Sequence, residues 1–180
     1  MKELARAIER VAAALRRRPQ LGLHDDAPAT ARWQHGTRVV TRHANGTELP
    51  TDMAQEFGGS GDQVTPGWMF RAGMASCMAT TVAMLAAAEG IELSALEVRT
   101  SSRSDTRGLI GMPGEDGAPV FAGPDRIEMQ VRIAAPGVDP ERLRALVEKS
   151  RRCAPVPSAV ESPVPVALRI EIDMPDHTRS

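Results

Sequence analysis

The sequence predicts an α+β domain, and three observations carry that expectation. Stretches with helical and strand periodicity follow in the order helix, strands, long helix, strands, helix, strand, without the regular strand–helix alternation that builds a parallel sheet. Asn45-Gly46 separates two runs of alternating apolar and polar residues, the strongest short-range sign of an antiparallel hairpin. After them comes "RAGMASCMATTVAMLAAAEG", Arg71 to Gly90, almost free of charge beyond its first residue. A helix that is apolar nearly all round has to be covered on most sides.

Each element has its own signal. From Glu3 to Arg17, the residues Leu4, Ile8, Val11, Ala12 and Leu15 stand at amphipathic-helix spacing, and Arg16–Arg18 with Pro19 close the segment. Glu3 and Glu9 lie among the arginines of its polar face, which favours packing on the domain or on a partner subunit over an anionic surface. Strands are expected over Ala31–Gln34, Thr37–Arg42 and Glu48–Met53. "GGSGD", Gly58–Asp62, lacks the Lys-Ser/Thr of a phosphate loop and the spacing of the dinucleotide fingerprint, so it reads as a loop before a helix. That helix is expected over Pro66–Glu89, with Pro66 at the first helical position after Thr65 and Gly90 as its C-terminal glycine. Small residues at 72, 73, 75, 76, 79, 80, 81 and 83 let a sheet or a symmetry mate approach it closely. Its Met78–Ala88 portion is too short to span a bilayer. Leu96–Arg103 and Arg126–Ala134 alternate as half-exposed strands do, on either side of a Gly/Pro-rich excursion. A second helix, Glu141–Arg152, opens after Asp139-Pro140 and runs into Cys153. A proline-punctuated turn and a last strand, Val166–Ile172, complete the pattern.

Composition removes several classes of function. A net charge of −1 at pH 7 over 180 residues supplies no general attraction to nucleic acid or an anionic membrane. Aromatic residues make up 3%, with no tyrosine, which argues against base-stacking platforms. The N-terminal segment carries charges throughout and has no apolar h-region, so the expected location is the cytoplasm. There, a permanent structural disulfide between the two cysteines is not expected. His24, His35, His43 and His177 stand at no ligand spacing with one another or with a cysteine, and no metal or other cofactor is expected. No G-x-S-x-G is present, and Ser60 lacks the flanking strand of a nucleophile elbow.

The cysteines remain. Cys77 lies inside the most apolar helix and Cys153 at the end of a second one. A buried thiol there is either a small core hydrophobe or a nucleophile kept from bulk water, and composition leaves both readings open.

"GDQVTPGWMFRAGMASCMATTVAMLAAAEGIELSALEVR" resembles the central helix of the OsmC/Ohr family, the osmotically inducible and organic-hydroperoxide-resistance proteins: a small-residue run, a cysteine, then an apolar helix ending in glycine and a strand. "IAAPGVDPERLRALVEKSRRCAPVPSAV" is similar to its second signature, a helix running into a cysteine followed by proline and a small apolar turn, and "GTRVVTRHANG" matches its N-terminal hairpin. The resemblance divides the chain into an N-terminal helical extension (1–30), an OsmC-like domain (31–174) and a tail (175–180). It implies antiparallel sheets wrapped around long central helices in an intertwined homodimer. It also implies a thiol-dependent peroxidase for organic hydroperoxides. In such an enzyme Cys77 becomes a sulfenic acid, Cys153 resolves it as a disulfide, and an external dithiol reduces the pair.

One departure from the family stands out. Family peroxidases carry a glutamate ten positions before the reactive cysteine, where it holds an arginine over the thiolate; here that position is Gly67. A free thiol ionises near pH 8.5 and needs a cation to react at neutral pH. The expected cation is Arg32 or Arg38, with Arg71 next, and Gln63, Asp62 or Glu56 is expected to take over the glutamate's hydrogen bond. Gly67 also leaves open a different class: a non-enzymatic relative that binds a small apolar ligand or acts as a redox sensor.

Overall fold

The computed structural model describes residues 1–162 and 164–173; the expected tail over 175–180 lies outside the described residues. Helix α1 (Lys2–Arg17) turns Leu4, Ala5 and Ile8 toward the body of the molecule and leaves Val11 exposed. Three antiparallel strands follow, β1 (Thr30–His35), β2 (Arg38–Arg42) and β3 (Glu48–Thr51), in that spatial order. Trp33 pairs with Val39 and Arg42 with Glu48, and Gly46 makes the hairpin turn at φ +91°. A positive φ is what glycine allows there without a Cβ clash.

Helix α2 (Pro66–Ala88) has clear boundaries because both ends are capped locally. Thr65 accepts a hydrogen bond from Trp68 N, and Pro66 occupies a position whose N–H would have had no helical partner. At the other end Gly90, at φ +69°, donates to the Ala87 carbonyl, while Ile91 N donates to that of Ala86 at 2.8 Å. This paired closure seats Ile91 in the core.

Strands β4 (Ala95–Ser104) and β5 (Pro124–Ala134) form a long antiparallel ribbon, with Val98 opposite Val131. The excursion between them contains one helical turn, α3 (Thr106–Leu109). Helix α4 (Pro140–Cys153) starts at Asp139, whose carboxylate accepts from Glu141 N and Arg142 N. It is followed directly by α5 (Pro155–Glu161), where a turn had been expected. The core lies between α2, α4 and the inner face of the ribbon. Met78, Val82, Ala86, Ile91, Leu146 and Ala154 are buried against Leu96, Val98, Met129, Val131 and Ile133. Each large apolar side chain buried there contributes on the order of 1.5–3 kcal/mol.

One expectation is left open by a single chain, and one needs correcting. In a single chain α2 is covered by α1, β4, α4 and α5 on one side only. Met74, Met78, Val82, Ala86 and Ala87 are buried, but Gly73, Ser76, Thr80 and Met84, which follow one another at helical spacing, are exposed. By length and mean hydropathy (1.3) α2 could cross a membrane, although here it forms the core of the fold. Second, residues 166–172 form no strand. The alternation is real, but among the described residues no strand edge pairs with it, and Val166, Leu168, Ile170 and Ile172 stand 74–94% exposed.

Candidate thiol site

Cys77 sits in the middle of α2, partly buried and packed against the core cluster. Its sulfur accepts a hydrogen bond from Val156 N at 3.4 Å. The local sequence accounts for that donor. Ala154 is fully buried in an extended conformation, so the chain leaves α4 and re-enters a helix at once. Pro155 and Pro157 are tolerated in the first turn, where no intrahelical bond is lost. Val156, between them, carries one of the helix's unpartnered N–H groups, and the thiol satisfies it. An N–H aimed at sulfur stabilises negative charge on it.

Cys153, the last residue of α4, is exposed, and both thiols are free. Three residues of chain span at most about 10 Å, so Cys153 stays within that reach of the amide on Cys77. The fold thus brings both cysteines to the corner where α2, α4 and α5 meet. One turn before Cys153, Lys149 Nζ bonds Glu89 Oε1 at 2.8 Å, linking α4 to the end of α2. The ammonium pKa of Lys149 is raised, chiefly by that bond and by the charge of Glu89, with Cys153 a lesser cause.

The arginines lie elsewhere. The β1–β3 sheet turns Ala31, Val39, Thr41 and Thr51 toward Pro66, Met69 and Phe70 of α2. Arg32 is on the opposite face, where with Gln34, Val40, Arg42, His43 and Glu48 it lines a cavity of about 370 Å³. Strand alternation therefore points Arg32 away from α2. Arg38 is held between two carboxylates: it donates to Asp52 Oδ2 at 3.2 Å, to Asp62, and to Ser60 Oγ at 2.7 Å. Asp52, itself buried, accepts from Thr37 Oγ1 at 2.5 Å, Ser60 Oγ at 2.7 Å, Met53 N at 2.8 Å and Ser60 N at 3.0 Å. The Thr37 hydroxyl first, then Ser60, hold the Asp52 carboxyl well below the ordinary carboxylate range. Ser60 and then Arg38 depress that of Asp62, and the Asp62 bond chiefly raises the guanidinium pKa of Arg38. Gly59 is required in this knot, because a Cβ there would collide with the Met53 carbonyl.

Of the three loop residues expected to take over the glutamate's hydrogen bond, Asp62 bonds an arginine, but that arginine, Arg38, makes no hydrogen bond to Cys77 among the described residues. Neither Glu56 nor Gln63 bonds Arg38 among the described residues. Arg71 Nη1 donates to Ser102 Oγ at 3.3 Å and lies 3.7 Å from where a Cβ on Gly67 would stand. Within one chain, and among the described residues, no arginine hydrogen-bonds the Cys77 sulfur; its donor is a backbone amide. Sequence reasoning passed over Val156. The available signal was the pair Pro155 and Pro157, which suits a helix start as well as a turn. Among the described residues no group of three His, Cys, Asp or Glu side chains is placed to hold a metal ion.

Fold and site together define an α+β protein with one thiol on its central helix and a second at the end of the neighbouring helix. Residues 59–169 match the family model described as OsmC-like protein. The chain is 31% identical over 138 residues to the organic hydroperoxide resistance protein of Xanthomonas axonopodis pv. citri, covering 76% of this chain and 87% of that one. The same figures hold for its counterpart in Xanthomonas campestris pv. phaseoli. This chain belongs to the OsmC-like family. The OsmC-like protein of Mycoplasma pneumoniae superposes with a TM-score of 0.65 at 14% identity, over 78% of this chain and 91% of its own. An organic hydroperoxide resistance protein of Elizabethkingia anophelis gives 0.59 at 22%, with the same coverage. Both share the arrangement of antiparallel sheets and central helices.

Proposed function

We propose that this protein is a thiol-dependent peroxidase that reduces organic hydroperoxides in the cytoplasm as part of oxidative-stress defence. The observation that carries the reading is the 3.4 Å bond from Val156 N to Cys77 Sγ, which sets a charge-stabilising donor on one thiol and ties it to the segment that begins at the other. The names of the relatives add support. The Cys77 thiolate attacks a peroxide oxygen, the O–O bond breaks, and the alkoxide leaves and takes up a proton. Cys77 is left as sulfenic acid. The Cys153 thiolate then attacks that sulfur, hydroxide leaves as water after protonation, and the Cys77–Cys153 disulfide forms. An external dithiol restores both thiols.

The working unit is a homodimer. The exposed stripe at Gly73, Ser76, Thr80 and Met84 and the exposed apolar alternation from Val166 to Ile172 are surfaces that a second copy would cover. A guanidinium facing Cys77 comes from that second copy, with Arg38, Arg32 and Arg71 as the candidates. A second reading, a small-ligand binder, draws on Gly67 and on a groove of about 460 Å³ lined by Met129, Val131, Ile133, Leu143 and Val147 together with Arg144 and Glu148. One equivalent of cumene hydroperoxide separates the two. A peroxidase loses both thiols together and yields a Cys77–Cys153 linked peptide; a ligand binder keeps both thiols.

A further inference from the structure

The two free thiols that would form that disulfide differ in access and in what receives charge on them. Cys153 ends α4 at the surface, whereas Cys77 is partly buried and backed by the core cluster. Among the described residues, Cys77 has a hydrogen-bond donor on its sulfur and Cys153 has none. Thiol–disulfide exchange needs access to the attacked sulfur along the S–S axis, and it runs faster when the departing thiolate is the better stabilised one. Both requirements select the same direction.

We infer that the external dithiol opens the disulfide by attacking Cys153, with Cys77 as the leaving group, an inference that rests on the peroxidase reading above. The reductant's thiolate forms a bond to Cys153 Sγ, the Cys77–Cys153 bond breaks, and its electron pair departs on Cys77 against the Val156 N–H. The reductant's second thiol, deprotonated, then attacks the reductant sulfur bound to Cys153. That step closes the reductant's own disulfide and releases the Cys153 thiolate, which takes a proton from solvent. The enzyme disulfide gains two electrons and the dithiol loses two. The Val156 amide contacts the departing sulfur directly and stabilises the charge that develops on it.

The test starts from full-length protein oxidised with one equivalent of cumene hydroperoxide. It is then mixed with N-acetylcysteine, a monothiol that cannot close a second disulfide, quenched in acid at early times and mapped by peptide mass. Attack at Cys153 gives an adduct on Cys153 in about tenfold excess over Cys77. Val156→Pro, which deletes the N–H, narrows that excess, while Val156→Ala, which keeps it, preserves the excess. An adduct mainly on Cys77 overturns the inference and leaves the peroxidase reading standing. Failure of the first step to give any Cys77–Cys153 linked peptide removes both.

Discussion

The amide of Val156 donates to the sulfur of Cys77 across 3.4 Å, and only Ala154 and Pro155 separate that amide from Cys153. The thiol on one helix is therefore held by the segment that begins at the other thiol. Removing the donor is the direct test of its role. Val156→Pro slows alkylation of Cys77 by iodoacetamide at pH 7 by about tenfold, the scale of one hydrogen bond to a charged acceptor. Val156→Ala leaves the rate within about twofold, since the backbone N–H survives. Equal rates in the proline variant and the parent would assign the amide a purely structural place.

Gly67 stands at the second position of α2, where a Cβ would lie at ordinary contact distance from Arg71 Nη1 (3.7 Å) and Thr65 Oγ1 (3.9 Å). Glycine is a poor helix former, and a carboxylate in the first turn suits the helix dipole. Gly67→Glu accordingly stabilises the fold by about 1 kcal/mol, read as a shift in denaturant midpoint at constant slope. A loss of stability would mean that the space beside Arg71 is filled by a second copy.

Asp52 links acid stability to the Arg38 knot. Its folded pKa lies below its unfolded value, so the stabilisation is complete above the unfolded value of about 3.9 and is lost as pH falls through the lower folded value. Asp52→Asn is therefore less stable than the parent at pH 7. The gap in melting temperature narrows steadily as pH drops from about 5 toward 2. A gap that stays constant with pH would show that the Asp52 charge contributes nothing.

Leu146, 1% exposed on α4, fills the space between α4 and α2. Leu146→Ala lowers unfolding free energy by about 3 kcal/mol through lost transfer energy and the cavity left behind. Chemical denaturation monitored by circular dichroism gives the value directly.

How much of this was legible beforehand depended on how local each cause is. Thr65, Pro66 and Gly90 bound the central helix by contacts within a few residues, and Asn45-Gly46 sets its hairpin in the same way. Both elements were readable. The helix at Pro155–Glu161 was not, because prolines at the first and third positions of a helix resemble prolines in a turn. The seat of Arg38 joins residues 14 and 24 positions away, so its composition needed the fold. The Val166–Ile172 alternation has strand periodicity, yet a strand is defined by its partner, and the described residues of a single chain supply none. The cysteines were singled out by their rarity and neighbours, whereas the amide that serves one of them has no side-chain signature.

Turnover decides the central claim. Cumene hydroperoxide consumption, with a dithiol in excess, is followed for the full-length protein and for Cys77→Ser and Cys153→Ser. A peroxidase built on these two thiols turns over in the parent, falls to the background rate without Cys77, and without Cys153 can complete only the first oxidation before a slow direct reduction. Equal consumption by the parent and Cys77→Ser would contradict it and leave Cys77 as a core residue of the central helix.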